Sequence, residues 1–426
     1  MNKNISFGEA LGFWLKLGFI SFGGPAGQIA IMHRVLVDER KWIEEERFLH
    51  ALNFCVLLPG PEAQKLATYA GWLLHGTRGA LAAGILFVLP GALVMLALSV
   101  LYALGRGVPA VEGALFGIKA AVLVIVVEAL LRTGRRALKT RFLVGVAAAA
   151  FIGIFFLAIP FPLIVLGAAL AGIATQRTGE AKPVQPLPGR WRHLSLALAS
   201  GLVLWWAPVV AVVLSLGPDH VLAEIGLFFS KLAVVSFGGA YALLAYMAQQ
   251  AVETYHWMSA PEMVDGLGLA ETTPGPLILV TQFVGFLAAY RNPAPFSPLG
   301  AGIVGAALTT WVTFVPPMTL IFAGAPFVEQ LRANQRLSAA LASITAAVVG
   351  VILNLTVWFA LHVLFGQVDE RQAGPIRWYA FDPLALDLKV AALAVLAAVL
   401  AFGFKRGLVE LVLVMATLGI LVRFIF

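Results

Sequence analysis

The residues of this chain best suited to chemistry are lysines inside apolar stretches, next to backbone that glycine and proline interrupt. Lys16 and Lys231 each lie five residues before a Ser-Phe-Gly-Gly motif, and Lys65 lies one turn after a Pro-Gly-Pro motif. An ionisable side chain inside a membrane is costly, and it marks a functional site by default. Buried ammonium groups near free peptide N–H donors favour an anion, so we predict an oxyanion-binding site.

Four interruptions of helical backbone supply those free donors. Proline lacks an N–H and clashes with the preceding turn, so neither Pro-Gly-Pro motif can be continuous α-helix. Broken backbone survives in a bilayer only inside protein or beside a water-filled cavity, and matched breaks in two halves mark a transporter's binding site. The half-helix after each break presents free N–H groups and the positive end of its dipole. The Ser-Phe-Gly-Gly breaks are Ser21-Phe22-Gly23-Gly24, followed by Pro25, and Ser236-Phe237-Gly238-Gly239, and the Pro-Gly-Pro breaks are Pro59-Gly60-Pro61 and Pro274-Gly275-Pro276.

Each candidate also has a structural interpretation, which the sequence leaves open. The glycines could serve only to let helices pack closely. Lys16 and Lys231 could extend to the membrane interface. Glu62, directly after the first Pro-Gly-Pro break, could form a structural ion pair with Lys65, or it could carry a coupled proton.

The elements that position these residues are predicted to be membrane helices. The chain is 60% apolar and only 12% charged, whereas soluble domains carry about 25% charged residues. A helix that spans a bilayer needs about 20 apolar residues. The sequence offers many such stretches, among them residues 81–104, 142–157, 194–216 and 337–365.

The chain repeats itself with a shift of 215 residues, which relates the two Ser-Phe-Gly-Gly breaks, the two Pro-Gly-Pro breaks, and Trp42 to Trp257. Three apolar segments separate the repeats, and an odd number of crossings inverts the second repeat. We therefore predict an all-α polytopic membrane protein with two inverted-topology repeats and Gly/Pro-broken or re-entrant helices. The predicted divisions are a first repeat at 1–175 with an extra helical hairpin at 142–175, a cytoplasmic linker at 176–192, and a second repeat at 193–426.

The distribution of basic residues favours a cytoplasmic N-terminus. More of them lie on the cytoplasmic side if the first two segments of each repeat are re-entrant than if these segments span the bilayer, and the positive-inside rule favours that arrangement. The net charge of +7 is assigned to these loops rather than to a nucleic-acid surface.

Several classes of function lack their sequence signals. The single cysteine, Cys55, rules out an internal disulfide, and the seven histidines show no metal-ligand spacing. The phosphate-binding loop of ATP-driven transporters does not occur, and neither do the acidic clusters of intramembrane metal-dependent enzymes. We expect no enzyme, no cofactor and no metal, while an ion channel stays open as an alternative.

At these motifs the sequence resembles the chromate ion transporter family in its long, two-domain form. The resemblance covers nearly the whole chain and implies secondary active export of chromate across the bacterial inner membrane, giving chromate resistance. The proton gradient or the membrane potential would drive this export. The second half departs from the first in having Ala240 where Pro25 stands and Leu277 where Glu62 stands. The resemblance rests on residues 19–25, 58–61, 236–239 and 273–276, with Trp42 and Trp257.

The predicted substrate site consists of all four breaks together with Lys16, Glu62, Lys65 and Lys231. A small oxyanion would bind between the repeats, and rocking of one repeat against the other would give alternating access. Chromate and sulfate are tetrahedral dianions of similar size, so a sulfate or other oxyanion permease is the alternative. A homodimer in the lipid bilayer is also left open.

Overall fold

The computed structural model describes residues 5–22, 24–105, 107–175, 190–237, 240–325 and 335–425. The described chain is almost wholly helical, which confirms the prediction of an all-α polytopic membrane protein. The predicted linker at 176–192 lies mostly outside the described residues. The helices up to this linker are α1 (Phe7–Ile20), α2 (Gly24–His33), α3 (Glu45–Leu57), α4 (Glu62–Leu104), α5 (Pro109–Ala137), α6 (Arg141–Phe155) and α7 (Phe161–Ala174).

The rest of the described chain follows a similar order after one additional long helix. Two π-helical turns, Arg34–Glu39 and Gln250–Thr254, follow α2 and α10 respectively, and a third, Val399–Gly403, follows α15. The helices are α8 (Arg190–Leu216), α9 (Val221–Val234), α10 (Ala240–Gln249), α11 (Ala260–Thr272), α12 (Val280–Arg291), α13 (Pro298–Gly324), α14 (Gln335–Leu364), α15 (Leu388–Ala398) and α16 (Leu408–Ile425), with strands β1 (Val368–Ala373) and β2 (Ile376–Phe381) between α14 and α15.

Helix length separates two classes of segment. Among the described residues, six helices are long and apolar enough to cross a bilayer: α4, α5, α8, α13, α14 and α16. The helices next to the breaks are shorter, with 14 residues in α1, 10 in α2 and 13 in α3. A span needs about 20 residues, so none of these three crosses a bilayer alone. Broken helices are therefore present, while their re-entrant path stays a prediction.

Helix α4 differs most from the predicted segment, since it begins at Glu62 rather than near residue 81. His75 and Gly76 have non-helical dihedrals within it, so it consists of two helices joined at a kink. Gly76 has φ of +59°, which favours glycine. The half-helix that starts at the first Pro-Gly-Pro break and the apolar stretch predicted at 81–104 are thus two parts of α4, joined at this kink.

The repeat found in the sequence extends to details of the backbone. Trp42 N–H donates to Leu36 O over 2.8 Å, and its counterpart Trp257 N–H donates to Ala251 O over the same distance. Lys41 and His256, also 215 residues apart, share a left-handed backbone, with φ of 53° and 51°. Each half also ends in a pair of helices, α6 with α7 and α15 with α16. The predicted division of the chain into two repeats, with an extra hairpin in the first, stays a prediction.

The chain forms two compact units, and each draws segments from both halves of the sequence. The first unit comprises Met1–Ser99, Gln176–Gly239 and Thr273–Ser338, and the second comprises Val100–Thr175, Ala240–Thr272 and Ala339–Phe426. In the first unit α13 packs against α8, α9 and α12, and in the second unit α5 packs against α11, α15 and α16. All residues of the breaks that the structure describes belong to the first unit.

A β-hairpin that the sequence did not predict holds part of the second unit together. Its strands are joined by Gly374 and Pro375, and Gly374 has φ of +59°. The Arg377 side chain, only 5% exposed, donates to the carbonyl oxygens of Ile154 (2.7 Å) and Phe155 (3.3 Å) at the end of α6. Its Nη1 also lies 3.2 Å from Glu253 Oε2. Arg377 thus satisfies carbonyls that the end of a helix leaves unpaired.

Replacing Arg377 by methionine is expected to lower the free energy of unfolding by about 3 kcal/mol, because Glu253 would stay buried without its cation. Burial already raises the pKa of Glu253 above its usual value, and Arg377 opposes that rise. A raised carboxyl pKa in the folded state means that stability falls as pH rises from the unfolded pKa to the folded one. The variant should therefore lose more stability at about pH 8 than at about pH 5.

Thermal unfolding in detergent at both pH values measures this loss. Arg371→Met, which changes an exposed arginine of the same hairpin, is the matched control and should leave stability unchanged. Adding Glu253→Gln to Arg377→Met should remove the extra loss at high pH. An Arg377→Met protein as stable as the control would show that the hairpin needs no buried cation.

Candidate functional site

Both Pro-Gly-Pro breaks interrupt the helices as the sequence predicts. Helix α3 ends at Leu57 and α4 begins at Glu62, while α11 ends at Thr272 and is followed by a 3₁₀ turn, Leu277–Leu279. Gly60 has φ of +107° and Gly275 has φ of +90°. These dihedrals lie in the left-handed region that glycine adopts without steric cost. The central glycine, flanked by prolines that cannot continue the helix, therefore fixes the shape of each break.

The breaks of the two halves hydrogen-bond to one another reciprocally. Gly60 N–H donates to Ser236 O over 2.9 Å, and Gly275 N–H donates to Ser21 O over 2.8 Å. The same shift of 215 residues carries one bond into the other. When two residues are in contact and their two counterparts in the other half make the same contact, the halves are related locally by a two-fold axis. Breaks that are far apart in the sequence are thus joined in two pairs, and both pairs lie in the first compact unit.

The flanking helices enclose the breaks tightly. A Cβ added to Gly60 would overlap Pro317 Cγ on α13, and one added to Gly91 on α4 would overlap the carbonyl oxygen of Pro274. Gly275 approaches the carbonyl oxygen of Phe87 on α4 in the same way, 3.5 Å from its ideal Cβ. The interrupted backbone is therefore buried in protein, which is what a bilayer requires of broken helices.

Gln28 is a buried polar residue beside the breaks that the sequence did not single out as a candidate. Its side chain, 1% exposed, lies on α2, where Nε2 donates to Gly275 O over 2.6 Å and to Ser21 O over 3.3 Å. It therefore joins a Ser-Phe-Gly-Gly break to the Pro-Gly-Pro break of the other half. The counterpart position in the second half is Leu243, so the local two-fold relation is not extended to the side chains. The signal in the sequence that could have identified Gln28 was a single amide side chain one turn into an otherwise apolar half-helix.

Two further buried polar groups beside the breaks have no hydrogen-bond partner among the described residues. They are the hydroxyl of Ser21 and the whole side-chain amide of Gln64, and both residues are fully buried. Buried polar groups are nearly always hydrogen-bonded, and each exception needs an explanation. Gln64 lies in the first turn of α4, where backbone N–H groups are also left unpaired by the helix. An anion beside either group would supply an acceptor for its donor.

The charged residues at the first Pro-Gly-Pro break differ in burial. Lys65 is 1% exposed, and its Nζ donates to the carbonyl oxygen of Leu58, just before the break. Glu62 is half-buried at the first position of α4. Lys65 thus brings a buried positive charge to the break, and Glu62 brings a more accessible negative one.

The structure does not bring every predicted residue to this cluster. Lys16 and Lys231 are exposed on α1 and α9, as the interface interpretation allows. Gly24, with φ of +73°, starts α2, while Phe22 and Phe237 are half-buried at the breaks. Pro25 lies in the first turn of α2, and the predicted residues Gly23, Gly238 and Gly239 fall outside the described part of the chain.

One group of side chains, His33, Asp38 and Glu45, has the composition of a metal site. His33 Nδ1 lies 3.3 Å from Asp38 Oδ2, and His33 Nε2 lies 2.7 Å from Glu45 Oε2. Both ring nitrogens face carboxylates, and both carboxylates are more than half exposed. This cluster therefore ties the start of α3 to the π-helical turn after α2.

Comparisons with known proteins point to one family. The family described as chromate transporter matches residues 8–173 and 223–422. A chromate transport protein of Pseudomonas aeruginosa is 32% identical over 82% of this chain and 80% of its own length. A chromate transport protein of Cupriavidus metallidurans is 27% identical over 82% and 81%, and an uncharacterized transporter of Methanocaldococcus jannaschii is 26% identical over 82% and 83%. These names agree with the expectation of a transporter rather than an enzyme. No solved structure matches the chain.

Proposed function

This chain belongs to the chromate transporter family, and from that premise we propose that it exports chromate from the bacterial cytoplasm as a secondary active carrier. The proposal places the protein in the inner membrane with a cytoplasmic N-terminus. The observation that carries it is the reciprocal pairing of the breaks of the two halves, beside which lie two buried donors of the first half, Ser21 and Gln64, without partners among the described residues.

The unpaired groups beside the breaks are suited to a tetrahedral dianion. The Gln64 amide and the Ser21 hydroxyl are buried donors without acceptors among the described residues, and chromate offers only acceptor oxygens. The N-termini of α2 and α4 add free N–H groups and partial positive charge. The Lys65 ammonium adds a full charge once it turns from the Leu58 carbonyl to the anion. Together these groups replace the hydration shell that the anion loses on entering the site.

The proposed transport cycle uses the two halves as inverted repeats. The two hydrogen bonds between the breaks, from Gly60 to Ser236 and from Gly275 to Ser21, support a local two-fold axis that passes between them. Rocking about such an axis would open the anion site to one side of the membrane and then to the other while the breaks stay paired. Sulfate, a dianion of the same shape, is the alternative cargo.

Replacing Gln64 by leucine is expected to weaken chromate binding about tenfold, which corresponds to the loss of one hydrogen bond of about 1.4 kcal/mol to a charged ligand. The same change should slightly stabilise the anion-free protein, because it removes a buried amide that has no partner among the described residues. Flux of labelled chromate and labelled sulfate into proteoliposomes, together with thermal unfolding without anion, measures both effects.

Gln367→Leu is the matched control, since Gln367 is exposed in the loop after α14, and its chromate affinity should equal that of the wild type. Unchanged affinity in Gln64→Leu would remove Gln64 from the site. Saturable sulfate flux without chromate flux would replace the proposed cargo, and flux of neither anion would contradict the proposed function.

A further inference from the structure

The second unit contains a buried carboxylate that the proposed anion site does not use. Glu271, the second-last residue of α11, is 5% exposed. Its Oε1 accepts a hydrogen bond from the Tyr241 hydroxyl over 2.9 Å. Among the described residues no basic side chain lies within ion-pair distance of this carboxylate. The Arg132 guanidinium acts on it only from a distance, and this arginine is already paired with Glu128 on α5.

The two other buried acids of α11 have partners that fix their charge. Asp265 Oδ1 lies 3.3 Å from Lys119 Nζ, and its Oδ2 accepts a hydrogen bond from Tyr102 over 2.9 Å. Glu262 accepts a hydrogen bond from Ser259 N–H at the start of the same helix. A carboxylate beside a lysine, or one at a helix N-terminus, remains ionised without difficulty. Glu271 has neither kind of support.

A carboxyl group in this setting is suited to binding and releasing a proton. An ionised carboxylate removed from water without a cation costs several kcal/mol, whereas its protonated form costs far less. The tyrosine hydroxyl can donate to the carboxylate or accept from the carboxylic acid. Both protonation states of Glu271 can therefore remain hydrogen-bonded to Tyr241, so proton exchange need not break the contact.

The position of the pair along the chain connects it to transport. Tyr241 follows the second Ser-Phe-Gly-Gly break by two residues, and Glu271 precedes Pro274 of the second Pro-Gly-Pro break by three. The counterpart positions in the first half are Ala26 and Val56. This pair therefore occurs only in the second half. Tyr241 lies on the segment that follows one break, and Glu271 lies on the segment that precedes the other.

We propose that Glu271, held by Tyr241, is the proton-binding site that couples anion transport to a proton gradient. This inference rests on the proposed function and transfers to Glu271 the role considered for Glu62 in the sequence. Glu62 is half-buried at the first position of α4, whereas Glu271 is buried. The groups that act on Glu271 are Tyr241 on α10 and the Arg132–Glu128 pair on α5. The other charged residues of α11, and of α16 which packs against it, are Asp265, Glu262, Glu410 and Arg423.

The test compares three activities of the purified protein in proteoliposomes: chromate-for-chromate exchange, net chromate flux driven by a pH gradient, and proton movement caused by chromate. The wild type should show all three. Glu271→Gln keeps an acceptor for Tyr241 but cannot take up a proton. It should retain exchange and lose both the pH-driven flux and the proton movement. Tyr241→Phe should retain all three, with the pH profile of driven flux shifted to higher pH.

The exchange activity shows that each variant is folded, and Glu9→Gln, at an exposed ion pair on α1, serves as the matched control. If Glu271 and Tyr241 had only a structural role, the pattern would be reversed. Glu271→Gln would then behave like the wild type, and Tyr241→Phe would be impaired in all three activities. That pattern, or wild-type exchange without proton movement, would overturn the inference and leave the proposed function standing. A wild type without chromate exchange or flux would overturn both.

Discussion

Replacing Gly60 by alanine is expected to abolish transport and to lower the free energy of unfolding by about 2–5 kcal/mol. A residue with a Cβ costs about 1–2 kcal/mol in a left-handed backbone, and Gly60 has φ of +107°. The added methyl group would also overlap Pro317 Cγ, and overpacking of this kind costs about 1–3 kcal/mol more. Relief of the overlap would move Gly60 away from Ser236, whose carbonyl oxygen it binds.

Other glycines of the chain provide a graded control for this prediction. Gly275→Ala meets the same backbone strain at φ of +90° but no close overlap, since the nearest atom lies 3.5 Å from the ideal Cβ. It should lose about 1–2 kcal/mol. Gly12→Ala on α1 meets no atom within 4 Å and should be neutral or slightly stabilising. Thermal unfolding and chromate flux measure the series, and a Gly60→Ala protein that behaves like Gly12→Ala would contradict the described break.

Replacing Gln28 by glutamate is the substitution with the largest expected effect on anion binding. The carboxylate would face the carbonyl oxygens of Ser21 and Gly275, to which Gln28 now donates, and it has no proton to offer them. It would also bring a negative charge to the place proposed for a dianion. Repulsion of about 3 kcal/mol, reasonable for charges several ångströms apart in a partly buried site, lowers affinity by about 100-fold.

Gln28→Leu separates charge from the hydrogen bonds, since leucine already stands at the counterpart position, Leu243. It should destabilise the protein by about 1–3 kcal/mol, because Gly275 O loses its donor, but it should weaken chromate binding much less than glutamate does. Gln367→Glu adds the same charge at an exposed position and should leave binding unchanged. Equal chromate affinities in Gln28→Glu and Gln28→Leu would show that the anion binds elsewhere.

The helix breaks could be predicted from the sequence because their cause is local. A proline's missing N–H and fixed φ act within one turn, so Pro59–Pro61 and Pro274–Pro276 interrupt the helices wherever the segments pack. The hydrogen bond from Gly60 to Ser236 joins residues far apart in the chain, and no local periodicity encodes it. Only the repeat itself, with its constant shift, indicated that the two halves share one geometry.

The residues predicted for the site from their formal charge differ in burial. Lys16 and Lys231 stood out as cations in apolar sequence, yet both are exposed. On α1, Phe13, Trp14 and Leu17 form the buried face. In a helical projection, Lys16 lies outside this face. Gln28 and Gln64, neutral amides, were not predicted as site residues, although both are as deeply buried as Ser21 and Lys65.

The β-hairpin was missed for a different reason. The polar segment after α14 reads as a loop, and its pairing depends on contacts of Arg377 with Glu253 and with the end of α6. These contacts form only in the folded second unit. The residues Gly374 and Pro375 between the strands were a turn signal that the sequence offered.

The location of the bound anion is the most direct test of the central claim. Diffraction from crystals grown with chromate, measured at the X-ray absorption edge of chromium, would locate the chromium atom independently of the protein's electron density. The account predicts one anomalous peak beside the paired breaks, within hydrogen-bonding reach of Ser21 and Gln64, and no peak there in Gln28→Glu crystals. A chromium peak in the wild type away from the breaks, with none beside them, would contradict it.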